Sequence, residues 1–346
     1  AAIQSFVVKI GDANVEGKID GNNISFIIPD GLENLTFAPT IVISDKATIT
    51  PASGVEQDFS SPVIYTVTSE DGIVTTKYTV SVSGQIRDFG FDEWETIKSS
   101  TSGSTEQYDV PKGLYGTSNP GIMTINEMFG SNLPELFSYT VSPVEGQSGK
   151  AAKLQTVYTY MFLNGMDFNA LLGGLVPYVT AGSLFTGIFK TDMNNTLNST
   201  KFGVPFVGEP ATFTGYYKYT PGTTYYNNKN EVVADKTDEC SIYAVLYEEL
   251  LDEENNNIPL NGDYNDPDLY IGSSKRIVMK AVLEDGTAKS DWTKFSIPFK
   301  LLEGKSYDAT KKYYLAIVCS SSAEGDYFMG APGSTLFIDS FTVTPQ

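Results

Sequence analysis

"VIYTVTSEDGIVTTKYTVSV", residues 63–82, is the stretch that decides the fold class. Val63, Tyr65 and Val67 alternate with Ile64, Thr66 and Thr68, and Tyr78, Val80 and Val82 alternate on the return. A period of two places each set on one face of a strand. Between them lies Glu70-Asp71-Gly72, an Asp-Gly turn in which glycine accepts the positive φ a tight hairpin needs. Working outward, Ile24 to Ile28 and Thr40 to Ile43 are further short alternating runs, separated by Gly, Pro, Asn and Asp. About seven such strands within residues 1–84 predict an immunoglobulin-like sandwich.

"SVSGQIRDFGFDEWET", residues 81–96, reads as a joint: Ser83-Gly84-Gln85 ends one strand, and Phe89 to Trp94 begins a new apolar element. The rest of the chain is again strand-like, without a sustained helical period. The exception is Asp167 to Val176, where Leu171, Leu172 and Leu175 fall at helical spacing behind Asp167 as N-cap, and Pro177 closes the run. A glycine pair limits it to one or two turns. The expected architecture is therefore all-β: an immunoglobulin-like domain over 1–84 and a larger jelly-roll sandwich over 88–346.

The chain has 346 residues, a formal net charge of −19 and no histidine. Missing imidazole excludes Ser-His-Asp triads, Cys-His dyads and histidine zinc sites. The acidic balance opposes nucleic acid and anionic lipid as partners. No apolar run approaches the ~18 residues of a transmembrane helix. Cys240 and Cys319 each lie in a strand-like run, and buried free thiols are the preferred reading over a disulfide. The start, Ala1-Ala2-Ile3, fits a mature exported protein whose leader has been removed; a cytosolic fragment would begin the same way.

Six segments, taken in order, carry a resemblance: "FGFDEWE" at 89–95, "GKAAKLQT" at 149–156, "AGSLFTGIF" at 181–189, "GVPFVGEPATFTGYYKY" at 203–219, "DWTKFSIPF" at 291–299 and "SSSAEGDYFMGAPGSTLFIDSFTV" at 320–343. From about residue 88 onward the chain resembles the putative carbohydrate metabolism domain (PCMD) of Bacteroidetes surface or periplasmic lipoproteins. Residues 1–84 are similar to immunoglobulin-like modules that precede such domains. The resemblance implies a galactose-binding-like jelly roll and a place in glycan handling, at the periplasm or outer-membrane surface, with a lipid anchor upstream. It implies no established active site.

Sugar recognition by β-sandwiches uses aromatic faces on pyranose C–H surfaces, with carboxylates and amides bonding the hydroxyls. "GYYKYTPGTTYYNN", residues 215–228, offers Tyr217 and Tyr219 on one strand face, Tyr216 on the other, and Tyr225 and Tyr226 after a Pro-Gly turn. The plainer reading, and the preferred one, is that these tyrosines fill the core or pair across strands. Trp292 joins the candidates; Trp94 shares its ambiguity. In the loop 320–335, Tyr327, Phe328 and Met329 stand at the tip, and Asp326, Tyr327 and Phe328 join the binding candidates. Gly325, Gly330 and Gly333 are expected where a Cβ would be resisted, and Asp326 is expected to bond nearby backbone N–H groups.

Any metal should be oxygen-bound, which selects calcium. In jelly rolls of the resembled kind a structural calcium joins the first and last strands, which would recruit Asp92, Glu93 and Asp339. The cluster at 261–270 (Asp263, Asn265, Asp266, Asp268) lacks the EF-hand glycine and terminal glutamate and reads as a solvated acidic loop. In "STLFIDSFTVTP", Leu336, Ile338 and Ser340 share one face, and Phe337, Asp339 and Phe341 the other. An aspartate there must reach an edge, accept from backbone N–H groups or bind a cation. Carboxylates including Asp92, Glu93, Asp192, Glu209, Glu324, Asp326 and Asp339 show no spacing that selects a hydrolytic pair. The leading expectation is non-catalytic recognition of a glycan or other extracellular polymer. A glycoside hydrolase and a structural or adhesive surface module are the alternatives.

Overall fold

The computed structural model describes residues 1–30, 32, 34–85 and 87–346; Ile86, within the expected joint, lies outside the described residues. The protein is all-β in two compact units. One comprises residues 1–88 with 207–211 and 343–346, the other 89–206 and 212–342.

In the first unit the hairpin forms as its pattern dictates. Thr75–Gln85 pairs antiparallel with Val63–Thr68 in the register Tyr78↔Tyr65. Gly72 takes φ 70°, and Asp71 accepts from Ile73 N and the Ser69 hydroxyl. Tyr65, Val67, Tyr78 and Val80 are buried with Phe6, Phe26 and Phe59. Two sheets face this core: a five-stranded one containing the hairpin, and a three-stranded one of Ala13–Glu16, Ile3–Ile10 and Thr40–Ile43. Thr75–Gln85 also pairs in parallel with Asn23–Ile28, a long-range contact that local alternation does not encode.

In the second unit a five-strand path runs Val141–Glu145, Lys150–Gln155, Thr335–Pro345, Pro210–Thr220, Lys289–Pro298. It belongs to a six-stranded sheet. An eight-stranded sheet has at its centre Ser183–Phe189, Tyr313–Ser320, Ser241–Glu248 and Ile277–Val282. Phe213, Phe295 and Phe341 meet edge to face at centroid separations of 5.0–5.6 Å in the core. Phe185, Phe202, Val245, Tyr247 and Val318 form another buried cluster, drawn largely from the central strands of the eight-stranded sheet.

Two features depart from expectation. An eleven-residue helix, Asn119–Phe129, stands where only strand was read. Pro120 occupies its first turn, where the missing N–H costs nothing. Asn119 anchors it: its Oδ1 accepts from Thr140 N and Val141 N, and its Nδ2 donates to Val141 O. Gly121 and Thr124 blur the helical signature in sequence. The short helix after Asp167 does form, as Phe168–Leu171, with the Asp167 carboxylate accepting from Ala170 N at 3.0 Å. The alternation of 335–345 breaks at Ser340, whose φ of 53° turns Phe341 inward. Cys240 and Cys319 are buried and free, their thiols pushed up by burial, Cys240 to about 12.

Candidate functional site

The loop 320–335 is organised from below by Asp238, which is 2% exposed. One carboxylate oxygen accepts from the Ser322 hydroxyl (2.6 Å), Ala331 N (2.8 Å) and the Ser334 hydroxyl (2.7 Å); the other accepts from Glu239 N at 3.0 Å. Burial nevertheless raises its carboxyl above the ordinary value. Thr156 shares hydrogen bonds with the Ser321 and Ser322 hydroxyls, and Tyr219 donates to Ser321 O. Gly333 has φ 93°, and a Cβ on Gly325 would meet that of Ala181 at 2.5 Å. The loop is thus a turn pinned from within by side-chain hydrogen bonds. It borders two surfaces of the second unit.

The first is a cleft of about 260 Å³, just under the ~300–1,000 Å³ of typical small-molecule sites. Strand register sets part of its wall: Ser183, Ser320 and Ser241 are aligned in one row, Phe185, Val318 and Tyr243 in the next. Ile125 and Met128 of the long helix, Phe202, Leu175 and Phe328 also line it. The lining is mostly apolar, and Asp326 is its one carboxylate among the described residues. Asp326 is exposed as a residue, yet its carboxyl is shielded at the cleft wall, where Tyr270 donates to it at 2.5 Å. That desolvation raises it above the ordinary range, against the hydrogen bond that lowers it. Tyr327 stacks on Tyr264 at 5.2 Å, and Phe328 takes a left-handed φ of 58°.

The second surface is an aromatic ladder. Tyr226, tied to the loop by paired backbone hydrogen bonds with Gly330, stacks on Tyr158 at 5.1 Å and 30°. Tyr158 meets Tyr160 at 5.6 Å; Tyr160 meets Phe162 at 6.1 Å and Tyr178 at 5.7 Å. The tyrosines are half-exposed and Phe162 is 61% exposed, while the intervening Thr159 and Met161 are buried. Polar groups flank the rings: Tyr158 donates to Asn230 Oδ1 at 2.6 Å, and Tyr178 to Asp167 Oδ2 at 2.9 Å. Burial pushes the Tyr178 hydroxyl up to about 12, reinforced by Asp167.

The structure corrects several expectations. Tyr217, Tyr219 and Tyr225 are 2%, 1% and 3% exposed and belong to the core, not to a binding surface. Their hydroxyls are spent internally, on Asp285 O, Ser321 O and the Glu324 carboxylate. Tyr226 alone of that stretch reaches the ladder. Asp326 and Phe328 meet at the cleft, Tyr327 sits beside it, and Trp292 lies elsewhere, with the Lys218 ammonium 4.9 Å from its ring centre. Trp94 is half-buried and donates to Phe91 O. The signal missed in sequence was the alternation Tyr158-Thr159-Tyr160-Met161-Phe162; Asp238 carried no local signal at all.

Asp92, Glu93 and Asp339 do not fit a calcium donor set. Asp339 is buried and accepts from Gln147 N (2.7 Å), Ser148 N (3.2 Å) and the Ser340 hydroxyl. Asp92 accepts from Lys150 N on the same hairpin turn, and Glu93 pairs with Lys112 at 3.2 Å. The aspartates cap backbone donors, and no group of three or more acidic or thiol side chains poised for a metal occurs among the described residues. Asp263, expected in a solvated loop, is buried and bonded by Asn195 and Asn265.

Comparison with known proteins adds the family. Residues 3–82 match a family model described as "SGBP, N-terminal". A crystal structure from Bacteroides thetaiotaomicron, described as a putative glycoside hydrolase, shares 31% identity over 100% of this chain and 96% of its own, with a TM-score of 0.59. Another so described, from Bacteroides vulgatus, shares 27% identity over 75% of this chain and 98% of its own, with a TM-score of 0.55. No curated protein matches. Residues 90–344 match the model of the putative carbohydrate metabolism domain, and the chain belongs to that family.

Proposed function

We propose that the protein binds glycans at the cell envelope without cleaving them, and that the ladder of Tyr226, Tyr158, Tyr160, Phe162 and Tyr178 is the platform. The observation that carries this reading is the ladder's half-exposed row of contiguous rings over the buried Thr159 and Met161. Such rings stack on pyranose C–H faces, while Asn230 and Asp167 at the rim can bond hydroxyls. Hydrolysis by the usual route needs two carboxylates ~5–9.5 Å apart across the scissile bond. The cleft supplies Asp326 alone among its described lining residues, which favours binding over catalysis. The family and the description of its Bacteroides relatives support a carbohydrate as the substance handled. The N-terminal match supports placement at the periplasm or outer-membrane surface; a lipid anchor upstream is part of the same proposal and rests on the resemblance alone.

The test is titration calorimetry against a panel of neutral oligosaccharides, with Tyr160→Ala as the probe. The expected result is binding that weakens about tenfold in the variant, ~1.4 kcal/mol. Release of reducing ends from any panel member by the unaltered protein would overturn the non-catalytic reading. An affinity identical in Tyr160→Ala would remove the ladder from the site.

A further inference from the structure

The six-stranded sheet has an outer face whose side chains the core does not use. Along Pro210–Thr220, Phe213, Tyr217 and Tyr219 point inward and are buried, so Tyr216 and Lys218 point outward and are half-exposed. On the adjacent strand Lys294 is the register partner of Tyr216, and Trp292 stands two residues before it. On the other side, Phe337 is the register partner of Lys153.

These residues interleave charge with rings. The Lys218 ammonium lies 4.9 Å from the ring centres of both Trp292 and Phe337, and that of Lys294 lies 6.0 Å from Tyr216. Each such contact holds a flexible cation in place without neutralising it. Lys153, Lys218 and Lys294 form no ion pair with any described residue, in a chain with 42 acidic and 23 basic side chains. Three lysines without an ion-pair partner thus share one sheet face, against the acidic excess of the chain as a whole.

We infer that this sheet face is a second binding surface, separate from the ladder, for an anionic saccharide bearing carboxylate or sulfate groups. The rings Trp292, Phe337 and Tyr216 receive sugar C–H faces, and the three ammoniums receive the anions. Charge complementarity argues for this occupant. The net negative charge opposes it only at long range, because at physiological salt the screening length is about 8 Å and the contact feels the local lysines. A nucleic acid, with a charge every ~1.7 Å of duplex axis, meets the repulsion over far more of its length.

Affinity electrophoresis and calorimetry with polygalacturonate, dextran sulfate and uncharged dextran test the inference. The full chain should bind at least one anionic polymer, weaken as salt rises, and ignore dextran at this face. The polymer retained, carboxylated or sulfated, identifies the anion. The triple variant Lys153→Gln/Lys218→Gln/Lys294→Gln should lose tenfold or more. Tyr160→Ala and a control triple at exposed lysines elsewhere (Lys9→Gln/Lys77→Gln/Lys98→Gln) should bind as the unaltered chain does. Binding of neither anionic polymer overturns the inference and leaves the ladder reading intact; equal loss in the control triple overturns it as non-specific. A concentration-dependent dimer abolished by the first triple would assign the face to a second copy of the chain instead.

Discussion

Two tyrosine-rich segments of the second unit have similar alternation and opposite fates. Across 158–162 the aromatics Tyr158, Tyr160 and Phe162 face outward, and Thr159 and Met161 are 0% and 1% exposed. Across 213–219 the aromatics Phe213, Tyr217 and Tyr219 face inward, and Tyr216 and Lys218 remain half-exposed. The difference lies in the space each inner face must fill. Beneath Thr159 and Met161 lies the small cluster of Ile125 and Val176, which medium side chains complete. Beneath Tyr217 the gap holds Phe295, and the tyrosine hydroxyls reach Asp285 O and Ser321 O beyond it. Alternation divides a strand into two faces; the partner across the core decides which is inside.

The sharpest way to break this contrast is to truncate one ring from each segment. Tyr219→Ala should cost ~3–5 kcal/mol, the range for deleting a buried aromatic, read as a shift in the urea midpoint. Tyr160→Ala should cost under ~1 kcal/mol of stability, since its ring is half-exposed, while weakening the proposed glycan binding about tenfold. Equal destabilisation by the two would mean that the ladder is core and not platform.

Much of the fold was legible because it is local. Val63 to Val82 encodes its own hairpin, and Asp167 its own helix cap. The two-domain all-β organisation follows from such units repeated. What was illegible depends on contacts across the chain. The inward turn of Tyr217 and Tyr219 is set by residues from 285 to 321, and Asp238 is defined by donors about 84 to 96 positions away. Asp339 was legible as a buried aspartate needing partners, but those partners were backbone N–H groups of a turn 191 and 192 residues distant. Helix Asn119–Phe129 is held by an asparagine side chain bonding residues 140 and 141, and that tertiary bond leaves no periodic trace.

A smaller change separates the packing of the inner tyrosines from their hydrogen bonds. Tyr219→Phe keeps the ring and leaves Ser321 O without that donor, which should cost ~0.5–1.5 kcal/mol. The glycan binding proposed for the ladder should stay within about twofold of the unaltered protein, because Tyr219 touches the loop and not the rings of the ladder. A larger drop in affinity would show that the loop's inner anchoring sets the ladder's geometry, joining the two segments that otherwise act apart.

Protonation refines the same distinction. Asp238 anchors the loop from inside, and burial raises its carboxyl above the ordinary 3.8. The folded chain therefore holds this proton to higher pH than the unfolded chain does. Its favourable contribution is complete below the unfolded value and is lost as pH rises through the folded one. Asp238→Asn removes that titration while retaining an oxygen to accept from Ser322, Ala331 N and Ser334. Urea midpoints measured from pH ~3 to ~7 should fall less with rising pH in the variant than in the unaltered protein, by the linkage slope of one proton at most. Affinity at the ladder, which rests on contacts between rings, should differ little between the two proteins at any one pH. An unchanged stability slope would place the Asp238 proton outside the folding equilibrium, and its hydrogen bonds alone would then account for the order of the loop.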